Sequence, residues 1–290
     1  MALADSRAMT PAPVATLTSA GKGARPAPGG ASINRHFHPI LETFAPLIVV
    51  AAGTLAIWLS GPMWANQNSV LAMLSKWTPL LLRGFAVDIA LLSGSIFVGT
   101  AAGLLLGLAL LSRNRAIRAS LMLLVQLLRN SPGLVVLFFV VFALPFRLEI
   151  FGIVVPFPGW AKVIFSFSIK ISANVAECVR GSALSISKGQ WQAGSALGLT
   201  HRQIFWNIIF PQCIPIMTPP WLNVVAIFLA AVPTASLVGI YDAVSYAELA
   251  IKAEQTFELI LPIYLYIISW FFAVGYALHE FTTWREKQKK

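Results

Sequence analysis

Four polar residues punctuate one apolar run of this chain: Ser166, Lys170, Asn174 and Glu177, spaced by four, four and three. At 3.6 residues per turn that spacing places them on a single helical stripe. A hydroxyl, an ammonium, an amide and a carboxylate in line can bind the two charged ends of a zwitterion. The same stripe also admits a structural use, in which Lys170 and Glu177 neutralise each other or neighbouring helices and fix packing. Asn223, in a later apolar run, is a further candidate of the same kind.

The elements that must carry this stripe follow from composition. Of the 290 residues, 57% are hydrophobic and 11% charged, against about 45–50% and 25% in ordinary soluble domains. A soluble enzyme, an acidic disordered tail and a nucleic-acid binder with its +10 charge on a polar surface are all excluded. An all-α polytopic membrane protein is what remains. A span needs roughly 20 apolar residues, and six segments qualify: 39–60, 85–111, 119–144, 161–179, 219–240 and 259–278. The third is interrupted by Arg129-Asn130-Ser131-Pro132, with Ser131 as an N-cap and Pro132 as a first-turn proline, so that 116–130 can also be read as a separate interfacial helix. Lys170 lies about 13 Å beyond Ala161 at 1.5 Å per residue. An ionisable side chain at such a depth costs roughly 2.5–3.5 kcal/mol on insertion scales and is a functional residue by default.

Residues 1–38 contain 23 Ala, Pro, Gly, Ser and Thr and no apolar core of a signal peptide, so they read as a retained flexible tail. Short cytoplasmic loops carry the excess of Lys and Arg. With six spans the side shared by both termini holds 14 of the 21 basic residues, from Arg7, Lys22, Arg25 and Arg35 through Arg113, Arg115 and Arg118 to Arg285, Lys287, Lys289 and Lys290. The opposite side holds Lys76, Arg83, Arg147, Lys162 and Lys252. Both termini are therefore expected in the cytoplasm, with Arg129 and Lys170 inside the membrane.

The same cytoplasmic side receives the polar loop 187–211. Two capping boxes, Ser187 with Gln190 and Thr200 with Gln203, frame two short helices, roughly 188–197 and 201–210. Gly198 stops the first and Pro211 ends the second. The first helix is expected to expose Ala193, Gly194, Ala196 and Gly198, small enough for another protein to approach its backbone closely. Without a partner, the hairpin would merely join two spans along the membrane surface.

Gly189-Gln190-Trp191-Gln192-Ala193-Gly194-Ser195-Ala196-Leu197-Gly198-Leu199, followed by Ile208-Ile209-Phe210-Pro211-Gln212, resembles the EAA loop of ABC importer permeases. More narrowly, the chain resembles the polar amino acid permeases of the histidine, glutamine and arginine type over about 79–280. Leu82-Arg83-Gly84, Arg129-Asn130-Ser131-Pro132, Ala176-Glu177-Cys178-Val179-Arg180-Gly181 and Pro219-Pro220-Trp221-Leu222-Asn223 carry the likeness in order. The resemblance implies a type I importer core of five helices at 79–280, with 39–78 as an extra first helix and outer loop and 281–290 as a basic cytoplasmic tail. It further implies coupling through Gln192, Ala193, Gly194, Ala196, Leu197 and Gly198 to a cytoplasmic ATP-binding subunit. A second permease subunit, a periplasmic or extracellular solute-binding protein and a bacterial inner membrane complete the implied setting. This chain departs at Gln192-Ala193-Gly194, where the family has Glu-Ala-Ala, at Phe210 in place of Leu, and at Ala230-Ala231, where a Lys-Asp pair is common.

Ser95, Gly99, Gly103 and Gly107 recur every four residues, a device for close helix packing. Asp88 and Arg129 are expected as interfacial anchors or as partners of each other, with a place on the substrate path as the lesser alternative, and Trp58, Trp77, Trp160 and Trp284 as interfacial aromatics. Cys178 and Cys213 support neither a disulfide framework nor a zinc site. His36 and His38 mark a solvated juxtamembrane segment. The chain has no P-loop, no His-Glu-x-x-His and no Gly-x-Ser-x-Gly, so no enzyme activity and no cofactor are expected here; ATP and Mg would sit on the partner ATPase. A stand-alone ion-coupled transporter or channel, with Lys170 and Glu177 as charge relay, is the competing reading.

Overall fold

The computed structural model describes residues 38–60, 69–112, 114–150 and 152–287. The expectations for the tail, His36, His38, Arg113, Trp284 and the basic C-terminal residues fall on residues or side chains outside that set. Helices α1 (His38–Ser60) and α2 (Val70–Leu110) come first. The Ser69 hydroxyl starts α2 by accepting from the Ala72 amide. At 41 residues this helix is about 60 Å long, so it begins well before the expected Phe85 and overshoots one bilayer.

Helix α3 (Arg115–Asn130) is capped by the Asn114 carboxamide. Helix α4 (Gly133–Ala143) leaves it at a 100° bend. Ser131 closes α3 instead of opening α4, its hydroxyl donating to Leu128 O at 2.8 Å, and Pro132 takes the N-cap position of α4. A two-stranded hairpin, β1 (Arg147–Ile150) and β2 (Ile153–Pro156), follows where no strand was expected; it turns at Gly152, φ +80°.

Helix α5 (Gly159–Ser185) carries the polar stripe. Helices α6 (Lys188–Ala196) and α7 (His201–Ile204) form the loop hairpin, and one π turn (Phe205–Ile209) joins α7 to α8 (Phe210–Ala231). Pro211 therefore does not end the second loop helix: it sits in the first turn of α8, where a missing N–H is tolerated. A 3-10 segment (Val232–Val238), α9 (Ala243–Glu254) and α10 (Ile260–Lys287) complete the chain.

By length and composition α2, the unit His201–Val238 and the unit Phe257–Thr283 suffice to cross a bilayer, and α3–α4 makes a fourth if taken as one broken span. The count of six additionally requires α1, whose apolar part is Ala45–Leu59, and α5, interrupted by Lys162, Lys170, Glu177 and Arg180. Large apolar side chains such as Phe97, Leu105, Phe139 and Phe142 face outward, as they do in lipid.

Helices α2 and α5 run parallel in a close seam. Gly99, Gly103 and Gly107 lie so near Ile171, Val175 and Val179 that an added Cβ would stand 2.6 Å from each partner's Cβ. The expected packing role of the four-residue repeat is realised. Phe167 of α5 meets Phe228 of α8 edge-on at 5.8 Å, extending this core to α8. A second core joins the first half of α2 to α9 and α10 through Leu81, Ala247 and Ile263, with Leu259 of the 3-10 turn Phe257–Leu259 that precedes α10.

Candidate functional site

The broken span α3–α4 packs on α5 and faces α8 across two adjoining cavities of about 390 and 510 Å³, together in the size range of small-molecule sites. The first is lined by Gly133 and Leu134 at the start of α4, by Lys170 and Asn174, and by Ala231 and Thr234. Glu177, Ser182, Pro220 and Asn223 line the second. Arg129, Asn174, Val224 and Ile227 belong to both.

Lys170, Asn174, Glu177 and Asn223 are thus brought together as the sequence expected, and Ser166 is not. Its hydroxyl is buried and unpartnered and lines neither cavity. Lys170 Nζ donates to the Ser131 carbonyl and, at 3.4 Å, to that of Arg129. It thereby satisfies carbonyls at the end of α3, which the bend leaves without the next helical turn. Asn174 Nδ2 donates to Lys170 O at 2.9 Å. Glu177 accepts from Arg180 Nε at 2.9 Å and Nη2 at 2.5 Å, so Lys170 and Glu177 do not neutralise each other.

Arg129, expected first as an anchor or as the partner of Asp88 and otherwise on the path, sits where the cavities join. Asp88 is fully buried elsewhere, accepting from the Ala243 amide at the start of α9 at 3.2 Å. The clue to Arg129 was its place one residue before the Asn-Ser-Pro break. Lys162, counted among outer-side charges, is also buried completely. Its Nζ donates to Val141 O at 2.9 Å and Leu144 O at 2.6 Å and lies 3.6 Å from the Phe146 ring centre. Two lysines of α5 therefore close the two C-terminal ends of the broken span.

The loop hairpin projects beyond α5 and α8. Gly198 adopts φ +73°, a left-handed stop that glycine takes without strain. The Thr200–Gln203 box forms, with the Gln203 amide donating to Thr200 Oγ1 and the Thr200 amide to Gln203 Oε1. The expected Ser187 box does not, since the Ser187 side chain makes no cap bond. Gly194 is not exposed: it is buried against Ile204, whose Cγ1 would lie 2.7 Å from an added Cβ. This close approach, with Trp191 stacked on His201 at 4.5 Å, holds α6 on α7. Gln192, Ala193, Ala196, Leu197 and Gly198 remain outward, and Leu197 is 77% exposed at the tip.

A helical bundle with apolar outer faces, two partly polar cavities beside a broken span and an exposed hairpin joining two of the helices that wall them is the architecture of a polytopic membrane protein. The family of binding-protein-dependent transport system inner membrane components matches residues 99–281, and the chain belongs to that family. It is similar to the L-cystine transport system permease protein TcyB of Bacillus subtilis, 32% identical over 66% of this chain and 78% of that protein. The probable amino-acid ABC transporter permease YckA of the same organism is 31% identical over 59% of this chain and 73% of its own length. A crystal structure of an amino acid ABC transporter with histidines shares the fold, with TM-score 0.65 and 24% identity, over 76% of this chain and 98% of the other.

Proposed function

We propose that the chain is the permease subunit of an ATP-driven importer for polar amino acids and that the joined cavities are its substrate path. One observation carries the mechanism: the hairpin is wired to both helices that wall the cavities. Ser185 ends α5 two residues before α6 begins to be capped at Ser187, and α7 runs without a gap through the π turn into α8. Displacement of α6 by a docked protein must therefore move α5 against α8, which changes access to Lys170, Asn174, Glu177 and Asn223.

The docked protein in this reading is a cytoplasmic ATPase, which holds ATP and Mg and contacts Gln192, Ala193, Ala196, Leu197 and Gly198. The buried Gly194 sets the angle of α6 on α7. Both termini face the cytoplasm of a bacterial inner membrane, a second permease subunit completes the path, and a solute-binding protein delivers substrate from outside. The substrates named for the relatives support the amino acid class. A stand-alone ion-coupled transporter leaves the outward hairpin surface without a use.

The test is isolation of the complex from native membranes and ATP-dependent uptake in proteoliposomes. Ala193→Trp should lose the nucleotide-binding subunit, and Lys170→Met should lose uptake with the subunits still associated. Normal uptake by Lys170→Met, or an ATPase retained by Ala193→Trp, would sink the corresponding part.

A further inference from the structure

Resting on that reading, we infer that the transported solute is net anionic, carrying at least two carboxylates for each ammonium. The charged residues lining the two cavities are Arg129, Lys170 and Glu177. Glu177 is held by both nitrogens of the Arg180 fork, so among the described residues no lining carboxylate is left unpaired for a substrate ammonium. Arg129 lines both cavities and makes no ion pair within 4 Å among the described residues. Lys170, 8% exposed, is fixed beside it through the Arg129 and Ser131 carbonyls.

A third positive feature adds to these two. Pro132 caps α4 without a side-chain hydrogen bond, and Gly133 and Leu134 of its first turn line the first cavity. Free amides and the helix dipole at the N-terminus of a half-helix favour an anionic group. Among the described residues the facing wall supplies no compensating acid: it consists of Val224, Ile227, Phe228, Ala231 and Thr234.

A zwitterion with one carboxylate would satisfy one of the two cations and place its ammonium near the other. An arginine-like solute would add a second repulsive charge. A second carboxylate instead meets the remaining cation, and the planar guanidinium of Arg129 suits a carboxylate in bidentate geometry.

L-glutamate, L-glutamine and L-arginine are probes of similar length and graded charge. Their binding to the permease in nanodiscs is measured by equilibrium dialysis, and their ATP-driven uptake by the native complex in proteoliposomes. Glutamate should bind about tenfold or more tighter than glutamine, the scale of one charge-assisted contact, and arginine weakest. Arg129→Gln should remove most of that preference, Arg129→Lys should keep it, and Arg129→Glu should turn it toward arginine. Equal or tighter binding of glutamine or arginine, no binding of any probe, or a glutamate preference unchanged in Arg129→Gln overturns the inference. ATP-driven uptake of glutamine or arginine with no preference for glutamate would overturn it and leave the importer reading intact. Glutamate binding without ATP-driven uptake would instead overturn the importer reading.

Discussion

Replacing Gly103 with alanine tests the α2–α5 seam with the smallest possible perturbation. The added Cβ would stand 2.6 Å from Val175 Cβ, 2.7 Å from the Ser172 carbonyl oxygen and 2.9 Å from Val175 Cγ1. Carbon atoms rest at about 3.5–4.0 Å, so the helices must part by roughly an ångström at this point. The two nearest atoms belong to backbone or to a Cβ, and no side-chain rotation can move them away. Parting also loosens the contacts of Gly99 with Ile171 and of Gly107 with Val179. Overpacking of this kind costs about 1–3 kcal/mol, offset by the 0.5–1 kcal/mol or so that alanine contributes to an interior helical position. Contacts of 2.6 and 2.7 Å with atoms that cannot rotate away put the cost in the upper half of the overpacking range, so the net loss is about 1–2.5 kcal/mol, a fall in melting temperature of several degrees on a scale of about 2–4 °C per kcal/mol. Thermal unfolding of the purified protein in detergent reads it, with Gly53→Ala, where nothing lies within 4 Å, as the control that should be neutral or slightly stabilised. Val175→Ala removes Cγ1 but keeps the Cβ, so it should rescue Gly103→Ala only in part. A Gly103→Ala protein that melts with the wild type or with the control refutes the seam.

Lys162→Met should orphan the Val141 and Leu144 carbonyls, at about 1–3 kcal/mol for each buried group, and lower the melting temperature more than Gly103→Ala does. Gly194→Val should drive a side chain into Ile204 and tilt α6, lowering ATP-dependent uptake in proteoliposomes while solute binding to the permease persists. Lys76 and Trp77 both donate to Glu254 Oε1, at 2.7 and 2.8 Å, and hold its carboxyl below the usual glutamate range. Because the folded value is lowered, this tie stabilises the protein above the unfolded glutamate value and is lost as pH falls through the folded one. Melting curves from pH 7 downward should show that acid-side loss, and Glu254→Gln should flatten it.

The parts of this structure that were legible in the sequence are those written in one helix's own periodicity. The repeat of Ser95, Gly99, Gly103 and Gly107 names a face, and the stripe of Lys170, Asn174 and Glu177 names the opposing helix's polar side. What those faces meet is not periodic. Gly194 looks like any other small residue of the loop until α7 folds back and brings Ile204 over it. Ser187 and Thr200 carry the same capping pattern, and only Thr200 closes its box. Asp88 and Arg129 are opposite charges, yet the start of α9 supplies Asp88 with a backbone amide instead.

The broken span gives the clearest physical reason for the divide. Ser131-Pro132 announces an interruption, but a 100° bend leaves the last carbonyls of α3 without helical partners, and inside a membrane protein such groups must be met by neighbouring protein or by a cavity. Here a neighbouring helix delivers donors at the two places where helical bonding stops. Lys162 and Lys170 do so from α5, eight residues apart and therefore on nearly one face. A lysine inside a span is thus a statement about a missing helical bond as much as about a ligand. At Lys170 the two uses meet: the carbonyls that the bend exposes hold its ammonium in the cavity wall, where under the proposed function it would serve as a fixed positive charge. Any substitution there must be judged by both folding and uptake, whereas the Arg129 side chain, which makes no ion pair within 4 Å among the described residues, separates the electrostatics of the cavities from the architecture that builds them.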